Sequence, residues 1–141
     1  MESLLVRDLM TSNVFSLRAR DDLSALYDLM DAEHIRHIPV VDEEGSLVGL
    51  VTHRDMLRSA LSDRSDLPVS IQRDVLRRIR VEEIMNTVVE TIEPDRPIQD
   101  AAQVMLENKY GCLPVVEGTR LVGILTEADF VRGLSDLISR A

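Results

Sequence analysis

Two short stretches gather the residue types best able to do chemistry, LVGLVTHRD (Leu47 to Asp55) and LVGILTEAD (Leu121 to Asp129). In each, an apolar run with one glycine leads straight into Thr-x-x-Asp, giving Thr52 with Asp55 and Thr126 with Asp129. A threonine and an acid three residues apart, ahead of an apolar helical run, form a capping box that satisfies free N–H groups at a helix start. On that reading Gly49 relieves a bulge or a close strand contact. The same atoms also suit a ligand. A helix N-terminus favours an anion, and a carboxylate accepts hydrogen bonds from two vicinal sugar hydroxyls. Hydroxyl, amides, glycine and carboxylate together match a sugar phosphate better than any catalytic constellation.

The elements that position these corners come from a duplication. Moving the sequence by 75 places lays Val6, Met10, Val14, Met30, Pro39, Val40 and Val41 on Val81, Met85, Val89, Met105, Pro114, Val115 and Val116. After a loop one residue shorter, a shift of 74 lays Leu47, Val48, Gly49, Thr52, Asp55 and Arg58 on Leu121, Val122, Gly123, Thr126, Asp129 and Arg132. Within each copy, Val6 to Met10 suits a helical turn and Val14 to Leu17 a short strand. Leu23, Leu26, Leu29 and Met30 recur at helical spacing, as do Ile98, Ala101, Ala102 and Met105. Two apolar strands around a polar loop then predict a hairpin in each copy, at Ile38 to Val41 with Leu47 to Val51, and at Leu113 to Val116 with Leu121 to Leu125. A helix follows from Thr52 and from Thr126.

The predicted fold is therefore α/β, with two β-α-β-β-α repeats packed sheet to sheet about a pseudo-twofold axis and leaving two clefts, because so small a sheet needs its face covered. The organisation reads as a first repeat over residues 1–61, a linker over 62–80 and a second repeat over 81–141. In the linker, Ser62 to Asp66 reads as a solvated loop and Pro68 as a break. From Ser70, Ile71, Val75, Leu76 and Ile79 give a short amphipathic helix ending in Arg77, Arg78 and Arg80. Basic residues in a last turn complement the helix dipole.

The chain has 141 residues and a formal net charge of -9, with 25 Asp and Glu against 16 Lys and Arg. Nucleic acid is disfavoured as a partner, since phosphate neutralisation needs positive charge and four aromatic residues give little to stack on. Apolar runs stop at five or six residues and no basic-then-apolar leader opens the sequence, so neither a membrane span nor export is expected. A single cysteine, Cys112, excludes an internal disulfide and fits a reducing cytoplasm. His34, His37 and His53 lack a metal-ligand spacing, and Met10, Met30, Met85 and Met105 read as core. None of the familiar hydrolase, metalloprotease, P-loop or dinucleotide signatures is present, so the expectation is a protein that is not an enzyme.

The doubled pattern V-x-x-h-M, h-P-V-V-[DE] and h-V-G-h-h-T-x-x-D (h apolar) resembles a pair of CBS domains, the Bateman module. VRDLM, IPVVD and LVGLVTHRD carry it in the first half, and VEEIM, LPVVE and LVGILTEAD in the second. The resemblance implies clefts for adenosine-containing ligands, here AMP, ADP or ATP, with S-adenosylmethionine a further candidate and no resident cofactor. It puts ribose contacts on Asp55 and Asp129 and phosphate contacts on Thr52 and Thr126, with Arg36 and His37 at positions that often touch phosphate in the family. His53 and Arg54 lie close to the same motif. The matching positions of the second half hold Gly111, Cys112, Glu127 and Ala128. A carboxylate such as Glu127 repels a phosphate dianion, so the Thr52/Asp55 cleft is expected to prefer a phosphorylated nucleotide and the Thr126/Asp129 cleft a neutral or weakly held adenosine moiety. The resemblance further implies a homodimer and an effector protein acting in trans. The competing reading is a structural dimerisation module with vestigial, ligand-free clefts.

Overall fold

The structure is a computed structural model that describes residues 4–60 and 69–140. Its elements in chain order are α1 (Val6–Leu9), α2 (Leu23–Glu33), β1 (His37–Val41), β2 (Leu47–Thr52), α3 (His53–Ala60), α4 (Val69–Arg78), a 3₁₀ turn (Val81–Glu83), α5 (Ile98–Asn108), β3 (Cys112–Glu117), β4 (Arg120–Thr126) and α6 (Glu127–Arg140). Both hairpins and the helices after them lie where the duplicated pattern puts them, and the mixed α/β class holds.

The chain divides into two compact units, Phe15–Val89 and a second built from Met1–Val14 with Glu90–Ala141. The sequence repeat and the compact unit are thus different segments. The turn that opens each repeat sits in the unit built around the other repeat's hairpin. Backbone hydrogen bonds explain this and obey the same shift of 75. Val6 N–H donates to Arg96 C=O and Ile98 N–H to Leu4 C=O, while Val81 N–H donates to Asp21 C=O and Leu23 N–H to Ile79 C=O.

In the unit Phe15–Val89, β1 and β2 run antiparallel, with His37 opposite Thr52 and Val40 opposite Gly49. Val41 then faces Leu47, so the ladder carries a bulge that leaves Val48 unmatched. The Asp42 carboxylate ties the connecting loop by accepting from the N–H groups of Glu44 and Ser46, both at 2.9 Å. At the start of α2, Asp22 caps the helix by accepting from Ala25 N–H at 3.0 Å and from the Ser24 hydroxyl. The helix ends at His34, which adopts the left-handed conformation (φ 55°) and donates its N–H to Met30 C=O. Leu23, Leu26 and Met30 pack with Ile38, Val40, Val51, Met56, Leu76 and Val81 as one core.

The amphipathic helix expected after Ser70 is α4, with Leu76 buried in that core. Arg73 and Arg77 on this helix, and Arg80 just after it, are paired with carboxylates. Arg73 bridges to Asp28 on α2 at 3.1 Å, Arg77 to Asp74 at 3.3 Å, and Arg80 beyond the helix to Glu82 at 3.8 Å. The loop expected at Ser62 to Asp66, and the break at Pro68, lie outside the described residues.

The other unit repeats the plan. In β3 and β4, Cys112 faces Thr126, Val115 faces Gly123, and a bulge follows. Val6, Ala101, Met105, Leu113, Val115 and Leu125 form its core. Helix α5 ends at Lys109, left-handed at φ 57°, matching His34.

One expectation needs correction. The first strand of each repeat, placed at Val14 to Leu17 in the first, contracts to a single parallel bridge, Leu17 with Val40 and Ile92 with Val115. Leu17 N–H donates to Pro39 C=O, and Leu17 C=O accepts in return from Val41 N–H. The next ladder bond toward the N-terminus would need an N–H from Pro39, which proline lacks. Pro114 imposes the same stop beside Ile92, whose N–H donates to the Pro114 carbonyl. Among the described residues, no helix is long and apolar enough to cross a membrane.

Candidate functional site

Each Thr-x-x-Asp corner is set by three neighbouring segments of its own unit. At the first, β2 delivers Thr52 and hands over to α3 at His53. His53 N–H donates to Arg36 C=O at 2.9 Å, which fixes the entry to β1 beside the helix start and brings Arg36 and His37 to it. Thr52 lies directly opposite His37 in the ladder. The third segment follows the 3₁₀ turn, where Asn86 and Leu50 exchange backbone hydrogen bonds at 2.8 and 2.9 Å. All six residues singled out in the first half therefore share one corner: Arg36, His37, Thr52, His53, Arg54 and Asp55.

Gly49 is needed for that arrangement. A Cβ at this position would stand 2.7 Å from Met85 Sδ and 3.2 Å from the Asn86 carbonyl oxygen. Gly123 faces Met10 Sδ at 2.6 Å and Thr11 O at 3.1 Å in the same way. The glycine of one motif and the methionine of another thus form a single contact, made between residues of different repeats. This accounts for the close strand contact expected of Gly49, and it places Met10 and Met85 over glycines rather than deep in a core. Met30 and Met105 are the buried pair.

The two corners share a backbone and differ in their hydrogen bonds. At the first, Asp55 Oδ2 accepts from Thr52 N–H at 3.0 Å, and the Thr52 hydroxyl oxygen accepts from Asp55 N–H at 3.2 Å. This is the reciprocal capping box. It occupies one oxygen of Asp55 and leaves Oδ1 without a hydrogen bond among the described residues. Because Thr52 Oγ1 is used as an acceptor, its own proton remains free to donate.

At the second corner the Asp129 carboxylate is saturated and its side chain is only 2% exposed. Oδ2 accepts from Thr126 N–H at 2.8 Å and from the Thr126 hydroxyl at 3.2 Å. Oδ1 accepts from the Thr11 hydroxyl at 2.9 Å and from the Arg132 guanidinium. Sequence reasoning missed Thr11 and Arg132. Arg132 was legible as an i, i+3 partner of Asp129, but Thr11 lies 118 positions away and left no local signal.

Cys112, at the position matching His37, is buried, and burial pushes its thiol up to about 12. It supplies no nucleophile. Among the described residues, no three His, Cys, Asp or Glu side chains converge to hold a metal ion.

A CBS domain family model matches residues 6–62 and 81–136. Over 140 residues, 97% of its length, the chain is 33% identical to the uncharacterized protein MJ1404 of Methanocaldococcus jannaschii. It spans only 33% of that relative, and 41% of the related MJ1225 from the same organism. It also aligns, at 35% identity, with 23% of a homoserine O-acetyltransferase from Methanococcoides burtonii.

Three solved structures are similar along nearly the whole chain. A Vibrio cholerae protein assigned to acetoin utilization (AcuB) superposes with a TM-score of 0.84 at 33% identity, covering 98% of this chain and 95% of that one. The CBS domain pair of protein MJ0100, solved with 5′-methylthioadenosine and S-adenosyl-L-methionine, gives 0.79 at 26% identity, covering 96% and 98%. CBSX2, solved with AMP, gives 0.80 at 25% identity, covering 94% and 97%. The duplicated motifs, the two matching units and these similarities agree: the chain belongs to the CBS domain family and carries two copies of the domain.

Proposed function

We propose that this chain is a regulatory binding module, not an enzyme, that senses adenosine nucleotides of the AMP, ADP or ATP class and takes the phosphorylated ligand at the Thr52/Asp55 corner. The observation that carries this reading is the open hydrogen bonding there. Asp55 keeps an oxygen for ribose hydroxyls, and Thr52 keeps a hydroxyl proton for phosphate at the N-terminus of α3. Arg36, His37, His53 and Arg54 add donors and positive charge around the same point, where the other corner has Gly111, Cys112, Glu127 and Ala128. Adenosine-containing ligands in CBSX2 and in the MJ0100 domain pair support the ligand class and keep S-adenosylmethionine a candidate. The ligand acts as an exchangeable signal rather than a resident cofactor. Signalling requires that it favour one conformation of the chain over another, read by an effector protein in trans.

The competing reading, a dimerisation module without ligand, draws support from α6. Val131, Leu134, Leu137 and Ile138 stand exposed along that helix, an apolar stripe of the kind that marks a protein contact. We assign it to a homodimer in either case. We place the module in the cytoplasm, a reading supported by the single cysteine, which offers no internal disulfide.

Calorimetric titration of 5′-AMP into the wild-type chain and into Asp55→Ala separates the readings. The carboxylate makes charge-assisted hydrogen bonds worth about 1.5–3 kcal/mol, so its loss should weaken AMP by at least tenfold. Undiminished affinity would remove Asp55 from the site. No binding of AMP, ATP or S-adenosylmethionine by the wild-type chain would leave the dimerisation module standing.

A further inference from the structure

The two corners share their backbone frame, their Thr-x-x-Asp and the arginine that follows, since Arg58 occupies the position of Arg132. Besides the charged positions already named, they differ at the residue of the third segment that pairs with the second hairpin strand. Thr11 exchanges backbone hydrogen bonds with Ile124, both at 2.9 Å, just as Asn86 does with Leu50. Ile124 precedes Asp129 by five residues, and Leu50 precedes Asp55 by five. Residues 11 and 86 therefore stand at the same place relative to their aspartates. Thr11 donates its hydroxyl to Asp129 Oδ1. Asn86 instead turns its side-chain oxygen back on its own segment, where Oδ1 accepts from Val88 N–H at 3.2 Å.

The rest of each corner follows that difference. Held by Thr11, Asp129 is buried and draws in Arg132, whose guanidinium closes the remaining side. The Thr126 hydroxyl proton is spent on Asp129 Oδ2. Four donors meet one carboxylate, about the full complement of lone pairs it offers. A sugar hydroxyl could enter only by displacing one of these donors, each a charge-assisted bond to a carboxylate that is itself buried. At the other corner Arg58 is exposed and forms no ion pair among the described residues.

We propose that residue 11 closes the Asp129 corner and residue 86 leaves the Asp55 corner open, so that one chain takes one adenosine-type ligand. This rests on the nucleotide reading above and adds the element that decides which corner is competent. Thr11 and Asn86 are positioning residues, acting through the aspartate beside them.

The test is a reciprocal exchange, read by calorimetric titration of 5′-AMP into the full chain. The wild type should take one equivalent, and Asp55→Ala should lose it. Asn86→Thr transplants the closing hydroxyl beside an intact Asp55 and should weaken AMP at least tenfold. Thr11→Asn should open a second site, read by titrating adenosine, which carries no phosphate for Glu127 to repel, and that site should survive in Thr11→Asn/Asp55→Ala. Asn86 is exposed, so its variant tests the idea even if Thr11→Asn does not fold. Two equivalents on the wild type, or wild-type affinity in Asn86→Thr, would overturn the proposal while leaving the nucleotide reading intact. No AMP binding to the wild type would bring down both together.

Discussion

Replacing Gly49 with alanine asks whether the glycine–methionine contact holds the corner together. The added Cβ would lie 2.7 Å from Met85 Sδ, 3.0 Å from Met85 Cγ and 3.2 Å from the Asn86 carbonyl oxygen. Methionine is unbranched and yields by rotating its torsions. The Asn86 carbonyl cannot retreat cheaply, because it accepts from Leu50 N–H at 2.9 Å and moving it strains that bond. Overpacking of this kind costs about 1–3 kcal/mol, against about 0.4–1 kcal/mol regained because alanine has fewer unfolded conformations than glycine. The net loss should be about 1–2 kcal/mol, or roughly 3–8 °C in Tm for a chain of this length. Urea denaturation of wild type, Gly49→Ala, Met85→Ala and the double variant closes a cycle. The second substitution removes the atoms nearest the new Cβ, so the double variant should be more stable than the two single losses predict. Gly123→Ala with Met10→Ala should behave alike, since the distances there are 2.6 Å to Sδ and 3.1 Å to the Thr11 oxygen. Full stability in Gly49→Ala, or simple additivity with Met85→Ala, would show that the glycine is not required by this contact.

Two further outcomes follow from ionisation and burial. The Ser24 hydroxyl beside Asp22 holds its carboxyl below the ordinary 3.8 against the opposing effect of burial, the next largest influence, with lesser help from the Ala25 and Ser24 N–H groups and Arg77. A lowered carboxyl stabilises the fold above its unfolded pKa and loses that contribution as pH falls through the folded value. Asp22→Ala should therefore cost about 1 kcal/mol at pH 7, the usual worth of an N-cap, and the urea midpoints of variant and wild type should converge in acid. Burial lifts Cys112 from an ordinary 9.0 to about 12, a thousandfold smaller thiolate fraction at pH 8. An alkylating reagent should label it at least about a thousandfold more slowly in the native chain than in urea; equal rates would show the thiol exposed.

What was legible in the sequence is what is local. The hairpins, the helices and the capping boxes depend on spacings of two, three or four residues, and the duplication displays each twice. The Thr52–Asp55 and Thr126–Asp129 contacts are of this kind. Pro39 and Pro114 lie within the expected strands Ile38 to Val41 and Leu113 to Val116, and their missing N–H groups cut the neighbouring strand to one bridge. That effect appears only when the partner's hydrogen bonds are counted. An unequal ligand preference was expected from Glu127 and Ala128 against His53 and Arg54, a difference of charge that is written in the sequence. The hydrogen bond from Thr11 to Asp129 left no such signal, because a hydroxyl and a carboxylate 118 positions apart have no pattern that ties them together.

The interleaved make-up of the units bears on synthesis. The segment Phe15–Val89 is continuous, whereas the other unit needs both Met1–Val14 and Glu90–Ala141. A ribosome making this chain delivers every residue of the continuous unit before the first fourteen meet their partners. Val6, which ends with no exposed surface, must therefore wait in water until α5 and β3 emerge. An early-made apolar turn with a late-made socket is a point at which a nascent chain invites chaperone contact.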